Sequence, residues 1–275
     1  HHNSGGGGGG REAGSKEAKV LLQPVEPSEL SDEARSAYEA KQIVLDECGV
    51  TALLTSIVCR MPPGDEGSVQ DTALEVLSEL LRGGNQTVQR TLFAKAASQG
   101  GGQVSFLGHL EQRLDLDFRG LVRCKKRGML GRGALTDEAK EHLENAAQTV
   151  EFLQLLCEGH FEGFQNLLRE QGAGVGEQIN LVHKAVTFLV LLADSAHSVA
   201  AFSDEEKQLT KTVLEFLLES MLGPCPSNQT TVASVEVFNA VNAVLALSPH
   251  DHASSLPRAA ASSSSSVSDS SLSLA

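Results

Sequence analysis

The chain is short of the side chains that stack on bases. It has no Trp, one Tyr and 4% aromatic residues, which excludes a stacking platform for single-stranded nucleic acid. Positive charge is also scarce: 22 Lys and Arg stand against 35 Asp and Glu, a formal charge of −13. That excludes a general nucleic-acid coat and leaves room only for a local basic groove. Long apolar runs are missing too. The longest, Ala185 to Ala193 with Thr187 inside it, is nine residues, against the ~20 of a membrane helix, so no membrane contact is expected of this piece. The five cysteines, Cys48, Cys59, Cys124, Cys157 and Cys225, are odd in number and lack close pairs, which suits a reducing compartment. The sequence opens on His1-His2-Asn3 without an initiator Met and reads as a fragment, so a missing signal peptide says nothing of a parent protein. Two Asn-Gln-Thr sequons, Asn85 and Asn228, are read as cytosolic and unmodified.

What the chain does have is a helical palette. Hydrophobic residues make up 41%, much of it Leu, Val and Ala. Residues 1–30, with the Gly5–Gly10 run, and the Ser-rich residues 250–275 are expected to be disordered, because such composition buries too little apolar surface to offset chain entropy. Between them the apolar spacing is helical. Ala139, Leu143, Ala146, Val150, Leu153 and Cys157 step by three and four, with Thr136 as N-cap and Gly159 at the close. Ile179, Val182, Val186, Leu189 and Ala193 repeat the pattern. Ser203 and Glu206 have capping-box spacing, ahead of one stripe at Leu209, Val213, Phe216 and Ser220 and another at Leu214, Leu217 and Met221. A helix apolar on two stripes is sandwiched between layers. Val235, Phe238, Asn242 and Leu245 mark a further helix after the Gly223-Pro224-Cys225-Pro226 break. In the first half, helices are predicted near 31–47, 49–60, 68–82, 86–98 and 103–118, with Gly83-Gly84 ending the third.

No stretch alternates as a strand does. The expected fold class is all-α: stacked antiparallel helices in an armadillo-like helical solenoid, although no exact sequence period is present. The domains are a helical block at 31–118, a basic linker at 119–135 and a second helical domain at 136–249. The linker carries Arg119, Arg123, Lys125, Lys126, Arg127 and Arg132, the one basic cluster in an acidic chain. It reads as a solvated connection or, alternatively, as a contact for an anionic partner.

Reaction chemistry finds little support. Cys157 and His160 have a C-x-x-H spacing, but a zinc site needs about four ligands and no second pair lies at usable spacing. A cysteine nucleophile lacks a local elbow or oxyanion loop. Gly172-Ala173-Gly174-Val175-Gly176 has no Lys-Ser/Thr after it and follows a helix, so it is read as a helix–helix turn. Asp204-Glu205-Glu206 is explained by the helix dipole. The expectation is a non-enzyme with no metal, no cofactor and no catalytic residue.

Three stretches are more specific than their periodicity. Phe152-Leu153-Gln154-Leu155-Leu156-Cys157-Glu158-Gly159-His160 is followed by Gln165-Asn166-Leu167-Leu168-Arg169-Glu170-Gln171. Gly223-Pro224-Cys225-Pro226-Ser227-Asn228-Gln229 comes later, and Leu80-Leu81-Arg82-Gly83-Gly84-Asn85-Gln86-Thr87-Val88-Gln89, with Phe93 behind it, lies upstream. In this order they resemble the cytoplasmic regulatory region of inositol trisphosphate and ryanodine receptors. The two later stretches are similar to its RIH-associated domain and the first to the helical segment before it. The inositol trisphosphate branch fits better. The likeness covers roughly 35–118 and 146–248. It departs from the family in the short basic 119–135 linker and in Asp194-Ser195-Ala196-His197-Ser198-Val199, which stands where a Gly-rich turn is expected.

The resemblance implies a piece of a homotetrameric, ligand-gated calcium-release channel on the cytoplasmic face of the endoplasmic reticulum membrane. Its partners would be other domains of the channel chain and neighbouring subunits, and it would relay agonist-induced motion to a pore elsewhere. The motif residues Gly83, Gly84, Asn85, Gln89, Phe152, Gln154, Leu156, Cys157, Gln165, Asn166, Arg169, Gln171, Gly223, Pro224, Cys225, Asn228 and Gln229 are given scaffold roles. The leucines pack, while Gln154, Gln165, Asn166 and Gln229 bond helix ends or loop backbone. Arg169 closes a helix C-terminus or meets an acid across a layer. The competing reading is a soluble armadillo-like adaptor that binds partner proteins.

Overall fold

The computed structural model describes residues 27, 30–60, 69–98, 105–131, 135–171, 178–195 and 202–247. The expected disordered segments at 1–30 and 250–275, the Gly172–Gly176 turn, Arg132 and residues 196–199 lie wholly or mostly outside them. Among the described residues the fold is all-α: α1 Asp32–Glu47, α2 Val50–Arg60, α3 Val69–Leu81, α4 Gln86–Ser98, α5 Phe106–Lys126, α6 Asp137–Cys157, α7 Glu162–Arg169, α8 Leu181–Ala193, α9 Asp204–Met221, α10 Pro226–Val232 and α11 Val235–Leu247. No single described helix is long and apolar enough to cross a membrane; α1 and α2 reach that only as a pair bent by 65°.

Helix starts follow local chemistry. Thr136 accepts from Ala139 N at 3.3 Å, and Ser203 and Glu206 form both bonds of a capping box. Ile179 precedes α8 instead of opening it, because Asn180 is the N-cap and accepts from His183 N at 2.8 Å. Pro226 sits at the first position of the short α10, where a missing N–H costs nothing.

The largest departure from the sequence reading concerns α5. It does not stop at 118 but continues to Lys126, so the first eight residues of the expected linker are helical. Leu121 and Cys124 are buried on it, and Arg123, Lys125 and Lys126 in its last turn complement the helix dipole. Beyond it, Leu130 is buried and Gly131 N donates to Glu206 Oε1 at 2.7 Å, so this stretch is tied to α9.

Packing advances by three helices at a time. α1 packs on α4, α2 on α5, α3 on α6, α4 on α7, α5 on α8, α6 on α9, α7 on α10 and α8 on α11. Second and third helices of each set also touch: α2 with α3, α5 with α6, and α8 with α9. Aromatic rings fill the seams edge to face. Phe106 meets Phe152 at 6.0 Å, Phe118 meets Phe188 at 5.3 Å and Phe93 meets Phe164 at 5.5 Å, each pair worth about 0.5–1.5 kcal/mol beyond burial. On α9 the first stripe is closed off from solvent at Leu209, Val213 and Phe216, while of the second only Leu217 is buried and Leu214 and Met221 are half-buried.

The core also holds charge. Arg113 pairs with Asp71 at 2.7 Å and donates to Gln70 Oε1 at 3.0 Å. Asp117 on α5 meets His142 Nδ1 on α6 at 3.0 Å. A Cβ on Gly120 would collide with that imidazole, so glycine admits the ring between the helices. Burial raises the Asp117 carboxyl to about 6, with His142 and Arg113 opposing the rise and Glu141 adding to it. The folded state therefore binds this proton more tightly than the unfolded chain. Its contribution to stability is present below the ordinary value of 3.8 and is lost as pH rises through about 6. Urea titrations should show a loss on the order of 2 kcal/mol between pH 4 and 7 from this group, and Asp117→Asn should flatten that slope.

Candidate functional site

Every helix ends with about four carbonyls that lack an intrahelical donor. Stacking helices buries those ends, and buried carbonyls need partners. Here glutamine side chains from a helix two elements earlier supply them, and the arrangement occurs three times.

Gln42 on α1 donates through Nε2 to Glu79 O at 2.8 Å and Arg82 O at 3.0 Å, at the end of α3. Gln89 on α4 donates to Leu155 O at 3.1 Å, Leu156 O at 3.3 Å and Glu158 O at 2.8 Å, at the end of α6. Gln165 on α7 donates to Glu219 O at 2.9 Å and Leu222 O at 2.7 Å, at the end of α9. In each case the donor sits on the first helix of a set of three and the acceptors end the third. The acceptors include the carbonyl one residue past the helix and the one three residues before it. Gln89 and Gln165 are both 0% exposed, and Oε1 of each has no donor among the described residues.

Glycines shape the turns that deliver these side chains. α3, α6 and α9 end at Gly83-Gly84 (φ +86° and +71°), Gly159 (φ +72°) and Gly223 (φ +85°), left-handed conformations that cost glycine little. Gly84 lies against the Glu158 carbonyl, where a Cβ would stand 3.4 Å from it. Gly83 N donates to Glu158 Oε2 at 3.1 Å. Burial raises the Glu158 carboxyl, while the Gly83 and Gly84 amides lower it.

The remaining motif residues gather at the same junctions. Asn85 donates to Gln42 Oε1 at 2.9 Å and accepts from Thr87 N at 3.1 Å. Asn228 is 0% exposed and donates to Gln165 O at 2.7 Å and Ser220 O at 2.9 Å. Gln171 Nε2 binds Leu167 O and Ile179 O at 2.7 and 2.8 Å, and the Cys225 thiol faces Asn166 Oδ1 at 3.6 Å. Phe152 and Leu156 are core, Cys157 is fully buried and Pro224 is exposed. One expectation needs correction: Gln154 is half-buried on α6 and makes no side-chain hydrogen bond among the described residues. Arg169 lies in the last turn of α7, at the helix C-terminus, where it meets no acid across a layer: Nε donates to Asn228 Oδ1 at 2.8 Å and Nη1 pairs with the adjacent Glu170 at 2.7 Å.

Gln42 and Glu158 were missed as site residues. A recurrent interval from turn glycine to glutamine, Gly83 to Gln89, Gly159 to Gln165 and Gly223 to Gln229, marks the other glutamines, but neither Gln42 nor Glu158 falls on it. Gln89, Gln165 and Gln229 all stand four residues after their helix N-cap position.

No group of three His, Cys, Asp or Glu side chains among the described residues is placed to hold a metal. Burial pushes the Cys157 thiol far up, away from nucleophilic thiolate. His160, in a left-handed conformation (φ +61°), points Nδ1 toward Glu219 Oε1 at 3.7 Å.

Residues 140–245 match the model of the family described as "RyR and IP3R Homology associated", which is not an enzyme family. The matching model is that of the RIH-associated domain, and the match takes in less than half of the chain. Over 116 residues the chain is 32% identical to the inositol 1,4,5-trisphosphate receptor itr-1 of Caenorhabditis elegans, a stretch that is 41% of this chain and 4% of that receptor.

The junctions predict a contrast in stability. Gln165→Leu fills the space but donates nothing, and should lower unfolding free energy by about 2–4 kcal/mol in urea denaturation. Gln229→Ala, at an exposed end, should shift it by less than about 0.5 kcal/mol.

Proposed function

We propose that this chain is part of the cytoplasmic regulatory scaffold of an intracellular, ligand-gated calcium-release channel of the inositol trisphosphate receptor type. In this reading it is an armadillo-like solenoid of three-helix layers: α1–α3, α4–α6, α7–α9, then α10 and α11. The scaffold performs no reaction and passes agonist-induced motion toward a pore that lies elsewhere in the channel, at the endoplasmic reticulum membrane. The observation that carries the reading is the pair of wholly buried ties made by Gln89 and Gln165. Each joins the first helix of a layer to the end of its third, and both belong to the stretches that resemble the receptors. The three-helix stagger of the packing and the match over 140–245 support it as well.

Such ties suit transmission. A packed layer whose helix ends are fixed to its own first helix moves as a discrete body instead of deforming continuously. The test is a transplant: residues 140–245 replace the matching segment of the C. elegans receptor, and agonist-evoked calcium release is measured in cells lacking the native channel. Release is expected to persist, with a raised agonist requirement and unchanged inositol trisphosphate binding when the transplant carries Gln165→Ala. A folded, tetrameric receptor bearing the transplant that binds agonist but releases no calcium would overturn the proposal.

A further inference from the structure

The basic run beyond Asp117 takes no part in the glutamine ties. Residues 118–136 hold six Lys and Arg and no acid, in a chain with 35 acids. Because α5 continues to Lys126, most of the run is displayed on a helix. Leu116, Arg119, Arg123 and Lys126 step by three, four and three, so they share one face. All four are exposed, Leu116 to 42% and the Arg119 side chain to 71%. Neighbouring acids leave this face uncompensated. Lys125 and Arg127, beside it, meet Asp194 at 3.7 Å and Glu138 at 3.2 Å. Asp115 is held by Lys184, and Arg119 Nη2 stands 4.0 Å from it. Arg123 and Lys126 form no ion pair among the described residues. Residues 132–134 and 196–201, which follow Gly131 and Ser195 in the chain, contain no Asp or Glu. The helix dipole favours cations in the last turn but does not reach Arg119, a turn further back. Like charges three and four residues apart repel, at Arg119–Arg123 and Arg123–Lys126.

We infer that this stripe binds an acidic helix of a partner protein. A helix laid along α5 has the same rise per residue. Its acids at steps of four and three meet Arg119, Arg123 and Lys126 in turn, with one apolar side chain against Leu116. The stripe from Leu116 to Lys126 is about 15 Å long, three turns of such a partner. Charge complementarity of this kind speeds encounter and selects the partner. A surface of exposed Lys and Arg with a single leucine suits reversible association with a separate protein, because permanent interfaces are more apolar. The chain's own ends do not supply the acid: residues 1–29 carry four acids against three Lys and Arg, and residues 248–275 two against one. Two copies, each of charge −13, repel. An anionic bilayer takes several large apolar side chains beside the cations, where this stripe has Leu116. Single-stranded RNA takes aromatic platforms. The inference rests on the course of α5 and not on the assignment to a channel.

The test is titration of the 275-residue protein with a fluorescein-labelled helical peptide of about five turns, followed by anisotropy. The peptide carries Glu at alternating steps of four and three along one face, two leucines beside them and alanine elsewhere. Saturable binding is expected, and it should be lost near 1 M salt, where the Debye length is about 3 Å. Combining Arg119→Gln, Arg123→Gln and Lys126→Gln should weaken it roughly tenfold, and Leu116→Ser about threefold. Lys207→Gln with Lys211→Gln, exposed cations on α9, should change it less than about twofold. Gln is a good helix former, so the circular dichroism of the triple variant should match the parent. A peptide of the same composition with its Glu scattered around the helix should bind about fivefold more weakly. Absence of saturable binding, equal binding of the two peptides, or binding unmoved by the triple variant would overturn the inference. So would phosphatidylserine vesicles or single-stranded RNA binding through Arg119, Arg123 and Lys126 where the peptide does not.

Discussion

Burying the end of a helix leaves carbonyl groups facing an apolar interior, and the rest of this structure depends on how that cost is met. A neutral amide on a long, jointed side chain is well suited to the task. It brings two donor hydrogens, carries no charge to desolvate, and reaches across a layer boundary from a helix that is itself packed. Gln42, Gln89 and Gln165 each place one nitrogen between the last carbonyls of a helix two elements away. A lysine in the same position would add an ion to the core, and a serine could not reach. The unmatched Oε1 of Gln89 and Gln165 marks what the arrangement costs: an amide oriented to donate twice leaves its oxygen without a donor among the described residues.

The ties also explain why glycine and amide recur together. A left-handed residue turns the chain back at the end of each third helix, and the next helix begins within a few residues. Its second turn then carries the amide that secures the following layer. Turn and tie are set by neighbouring residues in sequence, yet they act on helix ends some fifty to seventy residues apart. Local geometry thereby fixes the spacing of distant elements. Between the ties, edge-to-face phenylalanine pairs and the buried Arg113–Asp71 and Asp117–His142 pairs hold the seams in register.

Much of this was legible in the sequence. Apolar steps of three and four at Ala139–Cys157, the Thr136 cap and the Ser203–Glu206 box determine α6 and α9 locally, and local determinants can be read without a fold. The end of α5 was obscured because its final two turns are rich in Arg and Lys, and the burial of Leu121 and Cys124 that sustains them depends on tertiary neighbours. α7 and α10 are too short for periodicity to register. The stripe of α11 was visible, but not the direction it faces: Phe238 and Leu245 on it are exposed, which depends on tertiary neighbours. The three-helix repeat escaped because third helices of 13, 21 and 18 residues destroy any fixed period. Only the interval from glycine to glutamine is kept.

Asn85 and Asn228 each begin an Asn-Gln-Thr triplet, and both lie deep in the junctions. Both hydrogens of the Asn228 amide are committed to backbone carbonyls, so a sugar linked to that nitrogen would remove a donor and force a bulky group between α7 and α9. Oligosaccharide attachment and the folded junction are therefore mutually exclusive at this position. A copy of the chain sent through a secretory pathway would face a race between glycosyl transfer and folding, and whichever came first would bar the other.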